Sequence, residues 1–462
     1  MVKFRIEKDS LGEVKVENEK LWGAQTQRSI QNFKIGVGKF HFQKVFIEAI
    51  ALQKKACAMA NYNCKLLSKK HVDTIAKVCD LIIDQKLEDH FPLVVWQTGS
   101  GTQINMNLNE VIANKSNLLL GSKLPSNKPL HPNDDINKSQ SSNDTIPTAM
   151  HIATVLLIKR ELLPAISKIK KSLKKKVKEF NKVIKIGRTH TQDATPIKLS
   201  NEFLTFHDQI DYAEEKILQS LSKLFQLAQG GTAVGSGVNA PKDFSKNFIK
   251  NLQKITKLPF KSASNKYEAL ASHDVFIEVM SAMEILTSSL FKMANDIRVL
   301  SSGPRSGIAE LILPANEPGS SIMPGKINPT QCEALSMVCA HVIGLRSSVS
   351  FACTQGHFQL NVYNPVIIHN TLDAVQLLSD AIKSFDRNCL IGIKANLKRI
   401  KELLNNSLML VTPLTKIIGY DLASKVALNA YNKNISLKES CLELTSLSEG
   451  EFDKYTNPKN MV

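Results

Sequence analysis

The residues best suited to chemistry lie together in one short stretch, GSSIMPGKINPTQ at residues 319–331, followed directly by Cys332 and Glu333. It holds two adjacent hydroxyls (Ser320, Ser321), an amine (Lys326) and an amide (Asn328), with Gly319 and Gly325 bounding an SSIMP segment and Pro329 opening a helical pattern. Hydroxyl, ammonium, amide and backbone N–H groups on one turn of chain can converge on an anion and stabilise charge that develops on it. An ordinary serine-glycine surface loop has no use for Ile322, Met323 and Pro324 at its centre, where apolar residues suit a lid over a site. Other patterns point away from chemistry. GSGVNA at 235–240 has the GxGxxA spacing of a dinucleotide loop, but a long helical pattern precedes it and Pro241 follows, so a turn needing positive φ is expected instead. The eleven histidines form no HExxH set and the acidic residues no dense cluster, so neither a metal, an iron-sulfur centre nor any other cofactor is expected.

Long helices must position this loop. Leu162, Ile166, Ile169, Leu173, Val177 and Phe180 recur at three- and four-residue steps, with Lys168, Lys171, Lys174, Lys175 and Lys178 on the other faces and Pro164 at a kink or first turn. Phe203, Phe206, Ile210, Ala213, Ile217, Leu221, Leu224 and Leu227 repeat the period until Gly230 and Gly231 stop it. Residues 275–299 are apolar on almost every face, as for a helix buried on all sides, and would run about 40 Å. Residues 331–349 and 366–385 read as two more helices. Five such helices predict a mainly α protein built on a long bundle, and the all-round apolar faces predict packing against other copies. Ahead of them, helical stretches at 45–64 and 72–83 lead into loops rich in Gly, Ser, Asn and Pro. Three domains are expected: a mixed N-terminal one over 1–140 carrying substrate loops, the central helical bundle over 141–396, and a small C-terminal one over 397–462, where NNS, TP and NP breaks appear.

At 462 residues, 43% hydrophobic and 22% charged, the chain can bury a large core without disulfides. Its eight cysteines form no CxxC pair, and MVKFRIEKDS has neither a signal-peptide nor a transit-peptide pattern, so the reducing cytoplasm is expected. No membrane span is expected either, since Glu278, Glu284, Lys292 and Asp296 interrupt residues 275–300. The formal charge of +17 is mostly Lys spread along the whole length, with 6% aromatic residues, which argues against a nucleic-acid partner and suits a solvated surface. A positive field also favours capture of a small polyanion.

The motif GSSIMPGKINPTQ closely resembles the signature of the fumarase/aspartase superfamily, and its form with Gly325 and Thr330-Gln331 resembles class II fumarases. The resemblance extends over nearly the whole chain. It runs through LWGAQTQRS, TGSGTQINMNLNEV (98–111), HPNDDINKSQSSND (131–144), GRTHTQDATPIKLS (187–200), LAQGGTAVGSGVNA (227–240), NKYEALASHD (265–274), SSGPRSGIAELILPANEPGSSIMPGK (301–326) and GHFQLNVYNPVIIHN (356–370). It implies a three-domain fumarase/aspartase-like fold whose five-helix bundle forms a twenty-helix core in a homotetramer, each site shared by three subunits. The implied reaction is metal-independent, reversible interconversion of fumarate and (S)-malate.

Carried over by position, Ser320 corresponds to the base that removes the C3 proton of malate, and His190, paired with Glu333, to the group handling the proton of water. Ser100, Gly101, Thr102, Ser141, Ser142, Asn143, Thr189, Ser321, Lys326, Ile327 and Asn328 correspond to substrate-binding positions, and Lys128, His131, Pro132, Asn133 and Asp134 to a secondary dicarboxylate site. The residue types suit the task. Taking a proton beside a carboxylate builds a second negative charge, so a dianionic aci-form needs stabilising, a role for Lys326, Asn328 and loop N–H groups. Glu333 would hold the His190 tautomer and stabilise its cation. Two positions depart from the family pattern. Lys128 stands where many relatives have Arg and cannot make the bidentate carboxylate contact, and Ser200-Asn201 replaces Gly-Gln. An aspartate ammonia-lyase or another superfamily lyase would share the fold, and a lens-type structural homologue would share it without activity. The GKINPTQ and HPND contexts oppose the other lyases, and retention of Ser320, Lys326, His190 and Glu333 opposes a silent scaffold.

Overall fold

Helices make up most of the chain in the computed structural model, which describes residues 3–462. In chain order the main elements are β1 (Phe4–Asp9), β2 (Gly12–Glu17), α1 (Ala24–Asn32), α2 (Lys44–Asn63), α3 (Lys69–Ile83), α4 (Thr102–Leu119), α5 (Ser142–Leu157) and α6 (Leu163–Glu179). There follow β3 (Ile184–Thr189), β4 (Gln192–Lys198), α7 (Leu199–Leu224), α8 (Phe244–Thr256), α9 (Lys266–Ala271), α10 (Asp274–Leu300), α11 (Thr330–Cys353) and α12 (Asn364–Asn388). Shorter helices α13 (Leu397–Asn406), α14 (Thr415–Ile418), α15 (Tyr420–Lys433), α16 (Leu437–Leu444) and α17 (Glu449–Tyr455) complete it. The chain divides into two compact units. Unit 1 comprises Met1–Pro164, Glu215–Ile285 and His341–Leu378; unit 2 comprises Ala165–Glu214, Leu286–Ala340 and Ser379–Val462.

The five long helices match the apolar periods closely. Pro164 follows a π-helical turn at Ile158–Leu162 that joins α5 to α6 without a break, the local irregularity by which a helix accommodates a proline. Helix α7 ends at Leu224, earlier than the expected stop at Gly230, because Gln226–Leu227 leave it to pair with Lys261–Ser262. Within 275–299, Phe291 and Val299 are exposed in the single chain, so α10 is buried on most faces and not on all. Among the described residues one helix, α11, is long and apolar enough to cross a membrane by length and composition. It carries Glu333, His341 and Arg346, and Arg346 pairs with Glu284 of α10 at 3.1 Å.

In unit 1 the loop-rich reading of the region after residue 83 needs correction, because the 18-residue helix α4 lies inside it. It is buried all round from Ile104 to Asn114, with amides (Asn105, Asn107, Asn109, Asn114, Asn117) interleaved among Ile104, Met106, Leu108, Val111 and Ile112, so no one-sided apolar period reveals it. Those amides hold distant backbone. Asn107 donates to His90 O (3.0 Å), Asn114 to Leu21 O (2.8 Å), and Asn117 to Ser126 O (3.0 Å) and Leu130 O (2.9 Å). Glu110, also on α4, accepts the N–H groups of Gly23, Gln25 and Thr26 at the start of α1. Each bond satisfies a polar group that burial would otherwise penalise, so the loops acquire fixed positions.

In unit 2 the antiparallel pair β3–β4 closes through His190 and Thr191, both at positive φ (56° and 61°). Two central residues at positive φ match the twist of a tight hairpin. The helices α13 to α17 pack around Leu404, Leu414, Val426, Cys441 and Phe452.

Candidate active site

Unit 1 gathers the hydroxyl and amide candidates. Gly99 is dictated by space, since a Cβ there would stand 1.4 Å from the Val362 carbonyl oxygen. Gly101, at φ 72°, turns the chain into α4. The Ser100 and Thr102 hydroxyls are 2.8 Å apart and Thr102 is 3.1 Å from the Ser142 hydroxyl, so three hydroxyls link the N-termini of α4 and α5. Ser141 caps α5, and Asp144 completes the capping box by accepting the Ser141 N–H. The second Asp144 oxygen accepts the N–H groups of Gly230 and Thr232, each at 2.9 Å, while Asn143 donates to Ala233 O. Burial pushes the Asp144 carboxyl up to about 6, against the pull of its backbone donors. These groups border a cavity of about 440 Å³ whose lining includes Thr102, Asn137, Gln140, Ser141, Ser142 and Thr232. Two helix N-termini beside hydroxyls form an anion-selecting wall.

Unit 2 carries the proton-transfer candidates. Thr189 and His190 are exposed at the hairpin tip. The strand behind them is pinned by charge: Arg188 donates twice to Glu310 (3.1 and 3.0 Å), and buried Lys185 reaches both Glu310 (3.0 Å) and Glu202 (2.7 Å). The loop at 319–328 closes on itself. Gly319 N donates to Lys326 O (2.9 Å), a Cβ at Gly319 would come 2.3 Å from that oxygen, and Asn328 donates to Gly319 O. Inside the closed neck, the Ser320 hydroxyl oxygen accepts the N–H groups of Ile322 (3.3 Å) and Met323 (3.1 Å). Donors on a hydroxyl oxygen stabilise its alkoxide, which is what a serine base requires. Ile322 is 82% exposed, so the apolar tip expected to act as a lid is uncovered here. Ser321, Lys326 and Ile327 are exposed on the same loop, and Glu333 is exposed on the first turn of α11. His190 and Glu333 share no hydrogen bond among the described residues of the single chain.

For the secondary site, His131, Pro132 and Asn133 line a cavity of about 270 Å³ that also carries Glu7, Asp9 and Glu110 in its wall. The His131 Nδ1 accepts the N–H groups of Asn133 and Asp134 (3.2 Å each). Lys128 and Asp134 are exposed and are not among the cavity's lining residues.

Several residues that shape these sites escaped the sequence reading. Asp144 could have been found, because Ser141-x-x-Asp144 has capping-box spacing. Asn137, Gln140 and Thr232 lie inside quoted motifs but carry no signal of their own. The Arg188–Glu310 pair joins positions 122 residues apart, which only the fold reveals.

Comparison with known proteins gives the family. Residues 12–344 match the family described as "Lyase", and residues 410–462 match "Fumarase C C-terminus". The chain belongs to this lyase family. It is 52% identical over 459 residues to "Fumarate hydratase class II" of Pasteurella multocida, covering 99% of both chains. It is also 52% identical over 459 residues to "Fumarate hydratase, mitochondrial" of Rattus norvegicus, covering 99% of this chain and 90% of that one. The class II fumarase structure from Schistosoma mansoni superposes with a TM-score of 0.96 at 40% identity, covering 99% of each chain. A fumarate lyase:delta crystallin from Brucella melitensis, bound to cobalt, superposes at 0.95 with 36% identity, again covering 99% of each chain. Within the lyase family, the chain belongs with the class II fumarate hydratases.

Proposed function

We propose that this protein interconverts fumarate and (S)-malate by reversible hydration. The observation that carries the reading is about half identity, end to end, with class II fumarate hydratases, joined to a Ser320 hydroxyl that already receives two backbone N–H groups. In the dehydration direction Ser320 removes the C3 proton of malate. Lys326, Asn328 and the N–H groups of the 319–325 loop hold the resulting aci-carboxylate, which carries more charge than the ground state and so gains more from them. His190, with Glu333 as its carboxylate partner, protonates the departing hydroxyl, and in hydration it takes the proton from water. Ser100, Gly101, Thr102, Ser141, Ser142, Asn143, Thr189, Ser321 and Ile327 orient the two carboxylates. No cofactor is assigned.

The reading includes a homotetramer with sites shared by three subunits, in which the bundles form a twenty-helix core. The exposed residues Met337, Ala340, Gly344, Ser347 and Phe351 support it, since they recur at four and three steps along α11. That is the spacing of a helix–helix seam, with small residues at its middle allowing close approach. Met337 is 68% and Phe351 64% exposed in the single chain, and large apolar residues in such a row mark an interface. Glu333 begins the same row, so another copy would bring the His partner that the single chain lacks. The division into domains over 1–140, 141–396 and 397–462 belongs to this reading, as does the cytoplasm as compartment, although relatives include enzymes named mitochondrial. The secondary site of Lys128, His131, Pro132, Asn133 and Asp134 is weak in this reading, because Lys128 cannot make the bidentate carboxylate contact of an arginine and does not line the cavity that His131, Pro132 and Asn133 share.

The test is the ultraviolet absorbance of fumarate formed from (S)-malate, with L-aspartate in parallel and a chelator in both. A rise with malate alone is expected. A rise with aspartate alone would move the assignment to an ammonia-lyase, and silence in both from a verified tetramer would favour a structural role.

A further inference from the structure

The cavity between the N-termini of α4 and α5 is lined without one ionisable side chain, although a dianion is the substrate proposed for it. The charge stands one layer behind. Lys54, in the apolar run of α2, is 1% exposed, and its ammonium donates to Asn137 Oδ1 (3.0 Å) and Gln140 Oε1 (2.9 Å). Both acceptors line the cavity. The same Asn137 oxygen accepts Asn105 and Asn109 from α4, and the same Gln140 oxygen accepts Gln53. The amide oxygens of the cavity floor therefore gather on one buried cation. Among the described residues Lys54 makes no direct ion pair: neutral amide oxygens hold its ammonium, and the one opposing charge that acts on it, Asp144, does so without a hydrogen bond between them, so the site still carries a buried ammonium with capacity to attract a further anion.

We infer that Lys54 is a positioning residue for the dicarboxylate: its buried charge is the counter-charge behind this wall, and its hydrogen bonds fix the amides of Asn137 and Gln140. The inference rests on the dicarboxylate reading above. Of the other groups near Lys54, Asp144 alone carries an opposing charge, and it does not hydrogen-bond the ammonium. Cys57 on α2 and Cys79 on α3 are buried thiols held neutral, the second pushed up to about 12. Asp144 on α5 is the carboxylate facing it, and its oxygens are occupied by three backbone N–H groups. The buried face of α8 consists of Phe244, Phe248, Asn251 and Leu252. On α4, Glu110 is taken up by the start of α1.

Burial draws the Lys54 ammonium down to about 8. The free protein then loses this charge as pH rises through that value, while a bound anion favours the charged form and keeps it. Affinity should fall on the alkaline side for this reason.

The experiment compares wild type, Lys54→Met and Lys54→Arg for fumarate hydration from about pH 6.5 to about pH 9.5. In wild type, KM rises through pH 8, whatever the pH dependence that the proton-transfer groups give kcat. Lys54→Met has a KM raised on the order of tenfold, the scale of one lost charge contact, at every pH, and kcat within about threefold. Lys54→Arg keeps its charge throughout, so the alkaline rise in KM disappears. A merely structural lysine would instead lower kcat and soluble yield, leaving KM and its pH profile as in wild type, and that result overturns the inference. If neither variant folds, the wild-type profile decides, and a KM flat through pH 8 overturns it. Wild type that turns over fumarate while Lys54→Met keeps its KM defeats this inference alone; wild type inert toward fumarate defeats the functional reading and this inference together.

Discussion

Glu310→Gln removes one charge from the cluster behind His190 and leaves its shape nearly unchanged. The native cluster of Lys185, Arg188, Glu202 and Glu310 is neutral, and Glu310 is fully buried, accepting two bonds from Arg188 and one from Lys185. Removing its charge leaves a net positive charge that only Glu202 opposes. Breaking a buried pair from one side costs about 3–5 kcal/mol. Arg188 retains 19% of its side-chain exposure and can partly hydrate, whereas Lys185 at 1% cannot, which places the loss near the lower end, about 3 kcal/mol. At about 1.4 kcal/mol per factor of ten, the β3–β4 hairpin should open about 100 times more often. Hydrogen exchange followed by mass spectrometry on peptides spanning 184–198 reads this directly, with residues 415–455 as the internal reference. Turnover should fall by about tenfold or more with KM little changed, because His190 rides on the loosened tip. Unchanged exchange in the hairpin would show that the ion cluster does not hold it, and would refute the reasoning.

Ser320→Ala should lower kcat by about 10²–10⁴ with KM within a few-fold, as steady-state kinetics will show; unaltered turnover removes Ser320 from the base role. Asp144 carries a carboxyl held at about 6 in the folded protein against 3.8 ordinarily, so the folded state binds its proton more tightly. Its contribution to stability is fully present below about pH 4 and is lost as pH rises through about 6, roughly 3 kcal/mol in all. Melting temperatures across that range should show this loss in wild type, and Asp144→Asn should abolish it. Met337→Lys and Phe351→Lys place charge in the α11 row and should shift the proposed tetramer toward smaller, inactive species in sedimentation; intact active tetramers would place the interface elsewhere.

What could be read from the sequence depended on whether a residue's role is local. The long helices were legible because Leu, Ile and Phe repeat at helical steps, and the 319–331 loop because its donors are contiguous. Helix α4 was hidden, since Asn105, Asn107 and Asn109, interleaved with apolar residues in a helix buried all round, look like loop composition until their distant partners are known. The His190 turn was unreadable for a related reason: neither His nor Thr advertises positive φ, and the partner that pins the strand, Glu310, lies far along the chain. Lys54 belonged to a correctly expected helix at 45–64, yet nothing around it in sequence marks it as buried beneath the loops of a cavity.

The amide spine of α4 separates two responses to ionic strength. Neutral hydrogen bonds inside a protein neither titrate nor weaken as the Debye length shrinks, so the loops that Asn107, Asn114 and Asn117 hold will keep their shape from dilute buffer to strong brine. The surface excess of +17 has no such immunity, and attraction of a small dianion toward it fades as salt rises. Added salt should therefore slow arrival of substrate while leaving the receiving framework of unit 1 intact, so that encounter and fit, normally entangled in one rate constant, can be varied separately in this enzyme.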